Sequence, residues 1–281
     1  MKKLIFAAIL SLAGAACSSS DSSSIASDEI YATFEISGDG SKVECLASMT
    51  VGGSTGTLLD LTDNDSLHCG LVDTLTAFKG NSGSYKATGL TYTVGETYDV
   101  LFSRGQGQCV SKDEQHKSSA KLPAAISITA PANSSTQNRN QDMTVTWAAS
   151  DADLVEVSIS GKKTDSSGNE TADTFTVESK DDGSEVISKI HYASWLSSAG
   201  ITVTVRRINN GTFATSLKGG SIRGVQSDKA TLSLSGNPSS KDEQHSGSDG
   251  FTEVKTFTTP GASELKVPIA ARQYTEKKRC R

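Results

Sequence analysis

An all-β fold is what this sequence predicts, built as two sandwich-like modules in series. Apolar and polar residues alternate with period two in one run after another, as half-buried strands require. Between the runs stand Gly38-Asp39-Gly40, Gly52-Gly53 and Gly80-Asn81-Ser82-Gly83, which supply the positive-φ positions of tight turns. Stretches of helical periodicity are scarce, while Thr, Val, Ile, Ser and Gly dominate. The hydrophobic share is 35%, low but sufficient for thin cores in which inward apolar residues alternate with outward polar ones.

The first module is expected over residues 29–121. Its strands are read at Ile30–Ile36, Val43–Val51, Thr57–Leu61, Thr74–Phe78, Ser84–Tyr92 and Tyr98–Phe102. In Leu90-Thr91-Tyr92-Thr93-Val94-Gly95-Glu96-Thr97-Tyr98, a leucine and a glycine precede a tyrosine that opens an alternating strand. That pattern resembles the tyrosine corner of immunoglobulin-like sandwiches, where the ring covers the end of the core and its hydroxyl bonds to backbone upstream. The polar stretch 111–123 ends in Leu122-Pro123, and the boundary is placed there.

Residues 122–270 make the second module. Its strands are read at Ile126–Ala130, Asp142–Trp147, Leu154–Ser160, Phe175–Val177, Val186–Tyr192, Ile201–Gly211 and Lys229–Leu234. Met143, Val145 and Trp147 share one face. Thr144-Val145-Thr146-Trp147, with the long alternating strand ending in Asn209-Asn210-Gly211, resembles a fibronectin type III or related bacterial immunoglobulin-like domain. The resemblance covers about 110 residues and implies a spacer or binding module, since the fold alone fixes no activity. Ile201 stands where that family has its corner tyrosine, which leaves the core to close around Trp147 and Trp195. Phe251–Phe257 and Glu264–Ile269 are expected to add a hairpin, and residues 271–281 form a basic tail.

Ahead of both modules, Lys2 and Lys3 precede 13 uncharged residues, Leu4 to Ala16, and then Cys17. A short basic start, an apolar run and small residues at its end are the marks of an export signal. The run is too short for a membrane-spanning helix, which needs about 20 residues. Cys17 at the junction, followed by Ser18-Ser19-Ser20-Asp21-Ser22-Ser23-Ser24, resembles a bacterial lipoprotein. The resemblance implies cleavage after residue 16, a lipid on Cys17, and a disordered serine-rich tether over residues 17–28. Ser18 in place of an aspartate implies the outer membrane. Gly14 stands where that pattern has a leucine, and Ala13-Gly14-Ala15 leaves ordinary secretory cleavage open.

Loss of residues 1–16 leaves 265 of the 281 residues; it removes two of the 27 basic residues and none of the 32 acidic ones, taking the net charge from −5 to −7. Such an acidic balance argues against nucleic acid as a partner. Four cysteines remain for an oxidising compartment: Cys45, Cys69, Cys109 and Cys280. They allow three connectivities. Cys45 with Cys69 inside the first module is favoured, which leaves Cys109 for Cys280. No close paired spacing marks a zinc site or a redox motif.

Ser-Lys-Asp-Glu-Gln-His occurs twice, at residues 111–116 and 240–245. His116 and His245, with Asp113, Glu114, Asp242 and Glu243, are candidate metal ligands, but the reading preferred for both copies is a solvated inter-strand loop without a ligand. Asp60, Asp63, Asn64 and Asp65 in one turn, and Asp151 with Asp153 in another, offer oxygens of the kind calcium takes. Neither turn matches a full calcium loop, and Asx residues are common in turns for their own backbone bonds. His68 and His191 read as structural histidines, and Arg206 and Arg207 as solvated surface residues. No catalytic motif is present, and no metal or cofactor is assigned. The function expected is binding or scaffolding at the outer membrane, on its periplasmic or its surface face, with the membrane held through the lipid and with envelope proteins, glycans or a host surface as partners. The alternative is a carbohydrate-active enzyme or accessory module with an unrecognised acidic pair.

Overall fold

The computed structural model describes residues 19–62, 64–197 and 200–236. The chain begins with β1 (Ser19–Asp21), two 3-10 turns over Ser22–Ser24 and Ser27–Glu29, and then β2 (Ile30–Gly38), β3 (Val43–Val51), β4 (Thr57–Asp60) and β5 (Asp65–Leu71). It continues through β6 (Thr74–Ala77), β7 (Lys79–Asn81), β8 (Ser84–Leu90), β9 (Thr97–Arg104) and β10 (Glu114–Lys121). The second module contributes β11 (Ile128–Ala130), β12 (Thr136–Asn138), β13 (Met143–Trp147), β14 (Leu154–Thr164), β15 (Glu170–Ser179), β16 (Ser184–Ile187), β17 (Ile201–Asn210) and β18 (Gly219–Ser235). The expected hairpin over 251–269, the tail and the second hexapeptide copy lie outside the described residues.

In the first sandwich, β2, β3, β4 and β8 face a four-stranded sheet ordered β10-β9-β5-β6. Alternation supplies the core: Ile30, Ala32, Phe34 and Ile36 of β2 all point inward, as do Val43, Cys45, Ala47 and Met49 of β3. The Cys45–Cys69 disulfide ties β3 to β5 across the two sheets, with Cα atoms 6.4 Å apart and both residues fully buried. Tyr98 is the corner expected of it: the ring is buried, and its hydroxyl donates to Thr91 O at 2.6 Å and accepts from Thr93 N at 3.0 Å.

The second sandwich packs β11, β13 and β16 against β14, β15, β17 and β18. Trp147 and Trp195 both fill its core, as expected, with Val157, Ile159 and Val203 among their buried companions. Trp195 lies so close to Gly161 that a Cβ there would meet its ring at 2.4 Å. Ile201 packs into this core, while Tyr192 closes its end. The Tyr192 hydroxyl donates to Gln141 O and accepts from Gln137 Nε2 at 3.1 Å, and burial pushes its pKa up to about 12.

One expectation needs correction. The serine run is not a disordered tether from Ser19 onward. β1 pairs in parallel with β4, Ser22 is fully buried, and the Arg104 guanidinium caps the carbonyls of Ser22 and Ile25 at 2.6 and 2.9 Å. Serine is small enough to pack and carries a hydroxyl that can replace backbone partners, so a serine-rich composition does not exclude order where a cation and a sheet edge wait for it.

The two sandwiches follow one another as expected and, in addition, share a strand. β18 is 17 residues long and serves both. Gly219–Gln226 pair in parallel with Tyr31–Gly38 of β2, while Arg223–Leu232 pair with β17. Ala214, Leu217 and Ile222 therefore belong to the first core although they follow the second module's strands in sequence. Close approach explains two glycines here. A Cβ on Gly220 would meet Ala32 O at 1.7 Å, and one on Gly224 would meet Lys121 O at 2.3 Å.

Candidate functional site

β10 was not anticipated as a strand, because its inward residues are His116, Ser118 and Ala120 rather than large apolar ones. The β17–β18 connection supplies a partner to each of the two polar inward residues. Ser118 Oγ accepts from Ala214 N at 3.0 Å, and His116 Nδ1 meets Ser216 Oγ at 2.7 Å. Glu114 and His116, two apart on a strand, share a face, which puts His116 Nε2 at 3.3 Å from Glu114 Oε2. Ser27 Oγ donates to that same carboxylate at 2.5 Å and accepts from Arg104 Nη1 at 2.8 Å.

Ser27, Glu114, His116 and Ser216 line a cleft of about 470 Å³ where the N-terminal segment, β10 and the β17–β18 connection meet. Burial pushes the His116 pKa down, and the Glu114 carboxylate opposes the shift only in part. The imidazole is thus neutral at neutral pH and holds a single ring proton to share between Ser216 and Glu114. Hydroxyl, imidazole and carboxylate stand in the order a nucleophilic serine would need. The carboxylate, however, is also committed to Ser27 and through it to Arg104. Arg104 is itself buried, 3.5 Å from Asp65 and over the face of Phe102 at 5.7 Å. The network clamps three segments together, with Ser27, Glu114 and the exposed Ser216 at the wall of the cleft.

The other sequence candidates are spent on structure. Asp65 faces Arg104, Asp60 accepts from Ser82 N, and the Asn64 side chain donates to Gln106 O at 3.2 Å, so each has a partner within the fold; Asp63 lies outside the described residues. Asp153 accepts from Asn210 N at 2.7 Å, and Asp151 from Ser150 Oγ at 3.2 Å. Among the described residues, no three potential metal ligands converge. His191 stacks on Phe175 with ring centroids 3.5 Å apart. His68 lies along a second shallow cleft, of about 400 Å³, between β5 and the β7–β8 turn.

Arg206 and Arg207 are not the solvated pair expected. Arg207 is 1% exposed, paired with Asp181 at 2.7 Å, and Asp181 also accepts from Trp147 Nε1 at 2.9 Å. Arg206 joins Glu156 at 3.2 Å to Glu35 at 2.8 Å, and Glu35 pairs with Arg223 as well, so this cluster fastens β2 to the second module. Carboxylates on neighbouring elements hold both guanidinium groups, fully buried for Arg207 and half-buried for Arg206. Cys109 is disulfide-bonded, and its Sγ lies 3.0 Å from Ser24 O. Cys17 and Cys280, its expected partner, are outside the described residues.

Sequence reasoning singled out Glu114 and His116 but missed Ser27, Arg104 and Ser216. The signal that was available is the period-two series Glu114, His116, Ser118, Ala120, which marks a strand even without bulk.

No protein-family model matches the chain, and no curated protein is similar to it. Among solved structures it is similar to a segment of two fibronectin type III domains from chicken tenascin, at 13% identity over 71% of this chain and 97% of that one, with a TM-score of 0.22. The first two immunoglobulin domains of DIP-gamma match at 9% identity over 74% and 99%, with a TM-score of 0.20. A tetra-tandem repeat from the extending region of a large adhesion protein matches at 17% over 72% and 50%, with a TM-score of 0.20. With scores this low, the β-sandwich fold is read from strand order and core packing.

Proposed function

We propose that this chain is an exported, lipid-anchored protein of the outer membrane that binds or scaffolds a partner, with no catalytic residue. The observation that carries the reading is Cys17 at the end of an apolar export signal, two positions before a fold that holds a buried inter-sheet disulfide. Buried disulfides belong to oxidising compartments, which supports export on grounds separate from the signal. Rigidity supports a scaffolding role: β18 and the Glu35–Arg206–Arg223 cluster hold the two sandwiches as one body. Among the described strands, β15 pairs only with β14, so ten residues of sheet edge offer backbone donors and acceptors to a partner strand. Envelope proteins fit that edge, while glycans or a host surface fit the polar cleft at Ser27 and Ser216.

Replacing Cys17 by Ala and fractionating membranes tests the anchor. Release of the protein into the soluble fraction is expected, and an unchanged membrane fraction refutes it. Protease shaving of intact cells then separates a surface role from a periplasmic one.

A further inference from the structure

Only Ser18 separates Cys17 from Ser19, and Ser19 is already paired with Leu58 as the first residue of β1. The residues that follow are fixed as well. Ser22 Oγ accepts from Thr62 N at 3.0 Å, Cys109 N donates to Ser23 O at 3.2 Å, and Arg104 holds two of the carbonyls. Two residues reach about 7 Å when fully extended, roughly the 5–7 Å depth of one headgroup layer. The lipid therefore has no spacer on which the first module could swing.

We propose that the first module sits directly on the lipid headgroups, with the β3–β4 loop Gly52–Gly56 as its contact surface and the second module pointing away from the membrane; this rests on the lipid-anchor reading above. Strand direction fixes the orientation. β1 runs parallel to β4, so the chain enters beside Leu58, next to this loop. Gly52-Gly53-Ser54-Thr55-Gly56 carries no charge and no large side chain. It can meet headgroups without burying an ion, which would be costly. The loop is preformed: Thr50 Oγ1 donates to Gly53 O at 2.6 Å, and Gly56 N donates to the same carbonyl at 3.0 Å.

From this end β2 runs outward, because Ile30 lies level with Val51 at the loop. β18 runs parallel to β2 and continues past it into the second sandwich, to Leu232 beside Ile201. β14 carries the chain further the same way, since Leu154 lies level with Ile208 and Ser160 level with Thr202. The β14–β15 hairpin tip at Asp165–Asn169 is then the far end, roughly 60 Å of strand contour from the loop at about 3.3 Å per residue. The free β15 edge starts at that tip, which places it where a partner can reach it.

The test uses the full lipidated protein in vesicles that carry a nitroxide on their headgroups, with a fluorescent non-natural residue at exposed Ser54 or exposed Ser166. Quenching at least threefold stronger at 54 than at 166 is expected. A ten-residue Gly-Ser insert between Ser18 and Ser19 should erase that difference. Equal quenching at the two positions without the insert, with lipid on Cys17 confirmed by mass, overturns the seating while leaving the anchor intact. An unlipidated N-terminal peptide overturns the anchor and the seating together.

Discussion

Ile222 lies on the chain's last described strand, yet it is 2% exposed inside the first core and level with Phe34 of β2. Replacing it with Ala removes three carbons from a packed site; such truncations cost roughly 2–5 kcal/mol, and about 3 kcal/mol is expected here. Both tryptophans of the chain, Trp147 and Trp195, belong to the other core. Their fluorescence therefore reports unfolding of the second sandwich, not of the one that carries the substitution. If β18 makes the sandwiches one cooperative unit, the tryptophan transition must move anyway. With a urea slope of about 2 kcal/mol per molar, a loss of 3 kcal/mol lowers the midpoint by about 1.5 M. A tryptophan midpoint that stays in place, while far-ultraviolet circular dichroism shows an earlier separate transition, refutes the shared-strand coupling. Two autonomous domains would then be the better description.

Replacing both Cys45 and Cys69 by Ala frees a loop closed over a separation of 24 residues; the chain-entropy relation puts the loss at about 3 kcal/mol, readable as a fall in the urea midpoint. Tyr98→Phe removes a hydroxyl that serves both Thr91 O and Thr93 N, and a loss of about 1–2 kcal/mol in the same assay is expected. Burial keeps the His116 pKa below its usual value, so below about pH 6.5 the unfolded chain binds more protons than the folded one. Stability should fall on acidification from about pH 6.5 down to the lower folded value, then level off. His191, also held low by burial, acts in the same window, so the measurement is the difference between His116→Gln and the parent, whose slope the variant should reduce.

Much of the fold could be read because alternation is a local property. Val43–Val51 is a strand in both accounts, and Ile30–Ile36 differs from the observed strand only at its end. β5 and β10 escaped notice for one shared reason. Their inward positions include Asp65, His116 and Ser118, which bury well only because Arg104, Ser216 and Ala214 arrive to meet them. A polar residue takes its inward place from a partner distant in sequence, and no local pattern records that partner. The candidate cleft was half visible for the same cause: the repeated hexapeptide drew attention to Glu114 and His116, while Ser27 and Ser216 looked like ordinary loop serines.

The sequence by itself determined the all-β class, the positions of most strands and the two tryptophans of the second core; it pointed to the tyrosine corner and favoured the Cys45–Cys69 pair among three connectivities. Each of these follows from periodicity, from a short motif or from the few partners available to a residue type. Tertiary structure decided the order of the serine segment, the strand shared between sandwiches, and the fate of the buried charges Arg104, Arg207 and Asp65. Those depend on contacts across tens to hundreds of residues, where the free energy of burying a polar group is set by whether a partner is in reach.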